Sequence, residues 1–250
     1  MTDDQTDGRA VDDASEPVED LAGRMGELAR ILQGERDETA ILERMARAAV
    51  DMIPGAEEAS ITVVMGRRKV EAKAPSGEMA RQIDALQDKV RQGPCLDAVF
   101  DQKTVSVPDM ATESRWPRFS SGALELGAAS MLAFQLFVEG DNLGALNLYS
   151  RKAHAFDEES EHIGLLVAAH AAVVFAGTQK AEQLRDAAAS RDLIGQAKGI
   201  LMERYKVTAE HAFLMLAQAS SSTNIKLFSV AEHLADTGNL PTTEDRPVAR

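Results

Sequence analysis

The stretch from Glu158 to Tyr205 contains no proline, and Gly164, Gly177, Gly195 and Gly199 are its only strong helix breakers. Proline is the residue that most reliably ends a helix, so this segment reads as one long helix or as two joined near 186–190. Between 167 and 190 it is rich in alanine, from Ala168 to Ala189. Small side chains allow close packing, either of two copies of the helix in a dimer or of one helix over a sheet. The run 163–177, "IGLLVAAHAAVVFAG", is short of the roughly 20 apolar residues a membrane span needs and contains His170. It reads as a buried helix.

Apolar residues make up 44% of the 250 positions, enough for a packed core, whereas aromatics are only 4%. The net charge of −13 is uneven. Residues 1–20 carry eight acids against Arg9 alone, so residues 1–16 are expected to be a disordered acidic tail, and 242–250 a second tail. The acidic start lacks the apolar core of a signal peptide. Cys95 is the single cysteine and excludes an internal disulfide. A cytoplasmic protein without membrane contact is expected.

Helical spacing runs through 17–32 and again through about 37–53, where Pro54 and Gly55 stop it. "ASITVVMG" at 59–66 and "KVEAKAP" at 69–75 read as strands, 77–90 as a helix, and 103–110 as a short strand stopped at Pro108. Strands at 130–138 and 143–150 flank a turn, "EGDN". Asp157 is an N-cap candidate for the long helix. Helices and strands in this order predict an antiparallel α+β domain, a sheet covered by helices.

Residues 187–241 read as three helices. In the first, Leu193, Ile194, Ala197, Ile200 and Leu201 share a core face, while Arg191, Gly195, Lys198 and Met202 lie well away from it. Thr208 caps the second helix, and "SSSTN", 220–224, reads as a polar loop from which Thr223 or Asn224 caps the third. Leu227, Val230, Ala231 and Leu234 form the third helix's core face, and Gly238 and Pro241 end it.

The stretch "RDLIGQAKGILMERYKVTAEHAFLMLAQASSSTNIKLFSVAEHLADTGNLP", 191–241, resembles the ANTAR family of RNA-binding antitermination domains. The matching features are "AKGILM", "HAF", the serine–asparagine run and "VAEHLADTG". Upstream, "RQGPCLDAVFDQKTVSVPDM", "RWPRF" and "AFDEESEHIGLLVAAHAAVVFA" resemble the GAF domains that precede ANTAR modules, over about 37–177. The resemblance implies an α+β GAF sensor domain, an antiparallel sheet with flanking helices, at 17–177. A connecting helix at 157–190 then joins it to an all-α three-helix ANTAR bundle at 187–241. It implies a signal-responsive regulator that binds paired hairpins in nascent RNA and prevents transcription termination. A homodimer is expected from the alanine-rich connecting helix, and no enzyme is expected because the sequence shows no catalytic constellation. A DNA-binding regulator using the C-terminal helices, and a GAF sensor acting through protein partners, are the alternatives.

The candidate RNA contacts are Arg191, Gln196, Lys198, Gly199, Ser220, Asn224 and Lys226. Five basic and five acidic residues balance over 191–240, so contact with phosphate must come from clustering on one face. Gly199 costs about 1 kcal/mol against alanine inside a helix; it either exposes backbone to RNA or lets another helix approach. Cys95 and Trp116 are the candidate ligand contacts of the sensor, each with an ordinary core role as its alternative. The five histidines have no metal-binding spacing, and the cyclic-nucleotide signature of some GAF domains is absent. No metal and no cofactor are expected, and the sensor's ligand is left open.

Overall fold

The computed structural model describes residues 16–33, 35, 37–65, 69–100, 103–138 and 141–242. They divide into two compact units, one ending at Gln179 and the other beginning at Lys180. The expected tails lie outside the described residues except at their inner ends; Glu16 belongs to the first helix instead.

The N-terminal unit opens with α1 (Glu16–Gln33) and α2 (Glu38–Met52). Asp37 caps α2 by accepting from the Ala40 N–H at 2.8 Å. The helical period then places Ile41, Leu42, Met45, Ala46, Ala49 and Met52 on a buried face. The strands are β1 (Glu58–Met65), β2 (Lys69–Ala72), β3 (Thr104–Val107), β4 (Ser130–Val138) and β5 (Asp141–Ser150), arranged β2-β1-β5-β4-β3. Every pairing is antiparallel. In the turn expected between β4 and β5, Glu139 and Gly140 lie outside the described residues, while Asp141 and Asn142 already belong to β5. Gly144 has φ +149°, and a Cβ there would run into the Thr62 carbonyl of β1. Only glycine allows the two backbones to pair so closely at this point.

Alternation along the strands builds two core layers. Ile61, Val63, Leu132, Phe134, Leu146 and Leu148 face α1, α2 and the start of α6 (Glu158–Tyr205), whose Val167, Ala168, Ala171, Ala172 and Phe175 pack there. The other face carries Met131, Ala133, Ala145 and Tyr149 and is covered by α3 (Glu78–Val90), α4 (Pro94–Phe100) and α5 (Pro117–Glu125). Sequence periodicity gives no warning of α4 or α5. Each spans fewer than three turns, too short for a periodic signal, and each is announced only by a proline in its first turn. α6 is a single unbroken helix, which removes the two-helix option. It is long and apolar enough by composition to cross a membrane, but its apolar face at 167–175 is core of this unit.

The C-terminal unit packs the last turns of α6 against α7 (Ala209–Thr223) and α8 (Leu227–Thr237). Ala197, Leu201, Ala212, Leu216, Val230, Ala231 and Leu234 form its core. Thr208 caps α7 through the His211 N–H, and Gly238 closes α8 at φ +74°. The expected polar loop is not a loop. Ser220 to Thr223 form the last turn of α7, where Thr223 Oγ1 donates to the Ala219 carbonyl at 2.7 Å. Such back-bonding lets serine and threonine stay helical. Neither Thr223 nor Asn224 caps α8. Asn224 sits at φ +56° and ends α7, and Lys226 precedes α8 at its N-cap position without a side-chain cap.

Candidate nucleic-acid interface and ligand cavity

Arg191 and Lys198 lie seven residues apart on α6, so at about 100° per residue they share one face. Tyr205 extends the same row by another seven and is 53% exposed. An exposed tyrosine in line with two cations is the arrangement on which an unpaired base stacks while its phosphate is neutralised. Sequence reasoning missed Tyr205, although its position in the row was readable from the spacing. Gln196 falls on the other side of α6. With Gly199, Ile200, Glu203 and Arg204 it lines an open groove of about 710 Å³. Gly199 lies between row and groove, and a Cβ added there would meet nothing within 4 Å. Gly195 is equally open.

The balanced charge of this unit is resolved by its pairings. Lys206 binds Glu203, and Arg204 donates to the Gly238 carbonyl. Among the described residues, no carboxylate lies in ion-pair range of Arg191, Lys198 or Lys226. Ser220, Asn224 and Lys226 form a second group at the α7–α8 corner. Ser220 Oγ is already committed there, donating to the Ile225 carbonyl at 2.6 Å.

The N-terminal unit holds a cavity of about 450 Å³ between α3, the start of α4 and strands β1 and β2, with Asp84, Thr62, Gln87, Cys95 and Leu96 in its wall. Asp84 stands on the buried side of α3 at 7% exposure. Its Oδ1 accepts from Tyr149 Oη at 2.7 Å and from Ser60 Oγ at 3.0 Å. Asn147 Nδ2 donates to Ser60 Oγ and Thr62 Oγ1, both at 3.2 Å. Asp84 Oδ2 and Asn147 Oδ1 are buried with no hydrogen-bond partner. Burial pushes the Asp84 carboxyl up to about 6, against the opposing hydrogen bonds from Tyr149 and Ser60. Ser60, Thr62, Asn147 and Tyr149 all project from one face of the paired inner strands β1 and β5, a place where both faces are covered and apolar residues are the rule. That breach of pattern was the sequence signal for this site.

Cys95 lines the cavity, and its backbone N–H donates to Gln87 Oε1 at 3.0 Å. Burial pushes its thiol up to about 12, so it is a neutral thiol and no activated nucleophile. Trp116 is buried in the same layer under the Arg115 guanidinium, 4.3 Å from the ring centroid. It is not among the residues of the cavity wall. Among the described residues no group of three or more His, Cys, Asp or Glu is placed to hold a metal ion.

A GAF domain model matches residues 35–176 and an ANTAR domain model residues 182–234. No curated protein sequence matches the chain. Among solved structures, the GAF domain of a phosphoenolpyruvate-protein phosphotransferase from Coxiella burnetii superposes with TM-score 0.52 at 16% identity, covering 65% of this chain and 96% of that one. The free methionine-R-sulfoxide reductase from Neisseria meningitidis, in complex with its substrate, gives TM-score 0.51 at 20% identity, covering 69% and 96%. Likeness at these identities speaks for the fold alone. The GAF match spans more than half of the sequence, and the chain belongs to the GAF-domain family in its GAF–ANTAR form, a sensor domain followed by the output domain of RNA-binding antitermination regulators.

Proposed function

We propose that this chain is a signal-responsive regulator, not an enzyme, that binds paired hairpins in nascent RNA and promotes transcription antitermination in the cytoplasm. The observation that carries the reading is Gly199. A mid-helix glycine costs about 1 kcal/mol, and here, among the described residues, nothing beyond its own helix backbone lies within 4 Å of where a Cβ would stand. Packing within the chain therefore does not account for it. A bare backbone between the Arg191–Lys198–Tyr205 row and the Gln196 groove suits close approach of an RNA loop. Asn224 and Lys226 supply a further polar contact at the α7–α8 corner, and Ser220 holds that corner.

Two hairpins call for two bundles, hence a homodimer. The GAF unit acts as sensor by favouring one presentation of α6 over another. The test is retention of a terminator-proximal hairpin pair in a mobility-shift assay, with duplex DNA of the same sequence alongside. Lys198→Glu should weaken RNA retention at least tenfold with the helical circular dichroism unchanged. Equal retention by the variant, or preference for the duplex, would sink the proposal.

A further inference from the structure

Two buried acceptors of one polar cluster lack donors, and Asp84, which carries one of them, stands in the cavity wall. Asp84 Oδ2 and Asn147 Oδ1 have no partner, although both side chains are more than nine-tenths buried. Their other polar atoms are fully engaged with Tyr149, Ser60 and Thr62. A buried unpaired acceptor is costly, and native folds rarely keep one without a use. The missing partner must therefore bring hydrogen-bond donors.

The charges around the cavity narrow the class further. Its wall includes Arg81, Arg91, Glu71 and Asp88. Arg81 pairs with Glu78, Arg91 with Asp88, and Glu71 with Lys73. These pairs neutralise one another and leave the Asp84 carboxylate as the uncompensated charge. An anion would face that carboxylate and its unmet oxygen. Glu71 and Asp88 are held by Lys73 and Arg91, and among the described residues no three His, Cys, Asp or Glu are placed to hold a metal ion. An ammonium group meets both needs, with charge for Asp84 and an N–H donor for its orphaned oxygen. The cavity's apolar wall, with Val70, Ala72, Ala85 and Leu96, fits a short hydrocarbon body behind it.

We propose that this cavity binds a small primary amine, its ammonium group held by Asp84. Occupancy as the regulatory signal rests on the sensor reading above; binding itself does not.

The full-length protein is tested with benzylamine, benzyl alcohol and benzoate as probes, by ligand-observed NMR at pH 7.5. Saturable benzylamine binding is expected, at least tenfold tighter than either of the other two. Asp84→Asn should weaken it at least tenfold, because the variant keeps the Oδ1 acceptor for Tyr149 and Ser60 but loses the charge. Tyr149→Phe leaves the orphaned Asp84 oxygen in place and should retain the preference, which guards against a loss caused by misfolding. No benzylamine binding at millimolar concentration, equal binding of all three probes, or full binding by Asp84→Asn each overturns the proposal. RNA retention is measured on the same samples. An amine that binds without altering RNA retention leaves the site standing and removes its signalling role. RNA retention without amine binding does the reverse.

Discussion

A buried carboxylate with one idle oxygen makes stability depend on pH. The Asp84 carboxyl is raised from 3.8 to about 6, so between these values the folded chain holds a proton that the unfolded chain has released. Stabilisation from this group is complete below pH 4 and is lost as pH rises through 6, by at most about 3 kcal/mol. The groups around it are the neutral Tyr149 and Cys95, with Glu71, Arg81, Asp88 and Arg91 in the cavity wall. Asp84→Asn should therefore gain on the wild type as pH rises. Urea unfolding at pH 4.5 and 7.5 measures this, and parallel losses at both would show that burial does not govern the group. Gly199 offers an opposite pair of effects. With open space at its Cβ position, Gly199→Ala should stabilise the C-terminal unit by up to about 1 kcal/mol while weakening RNA retention. If the variant is more stable and binds RNA equally well, the open backbone is not a contact.

At the scale of elements, long periodic segments were legible and short ones were not. α2, α3 and α7 show their buried faces at helical spacing, and Asp157 and Thr208 announce caps that the fold uses. α4 and α5 are fixed by the layer they cover, not by local pattern. The end of α7 was misread because serine and threonine suit loops and helix ends alike; only the hydrogen bonds back to Ala219 decide. Of the cavity wall, Cys95 was named from the sequence, whereas Asp84, and Asn147 bonded to the wall residue Thr62, were not. Their meaning depends on which face of α3 and β5 is buried, and one sequence shows that only after the sheet is assembled. The α7–α8 corner yields its own test. Asn224 adopts a left-handed conformation that glycine takes without penalty. Asn224→Gly should leave thermal unfolding of the protein nearly unchanged, so any loss of RNA retention reports on the amide itself. Loss of stability together with binding would assign Asn224 to the turn alone.

For the whole molecule, the outer side of α6 supplies the remaining argument. Leu166 and Val173 stand seven residues apart and are 39% and 66% exposed, while Val167, Ala168, Ala171 and Phe175 of the same turns are core. Seven-residue spacing puts the exposed pair on one stripe, with Ala169 beside it, the pattern by which two copies of a helix bury each other's apolar side chains. Pairing in this way would place two RNA-binding bundles on one particle. The second hairpin is then bound at the effective concentration set by the first, a gain of about 10²–10⁴ in avidity without any new contact. Leu166→Glu with Val173→Glu puts like charges across that stripe. Light scattering should report a monomer, and retention of a two-hairpin RNA should fall by at least about a hundredfold, while a single hairpin is bound as before. Neither substitution touches the Arg191–Lys198–Tyr205 row, so an equal loss on one hairpin and on two would mean that the bundle itself had been damaged. A dimer that survives both substitutions would place the pairing surface elsewhere.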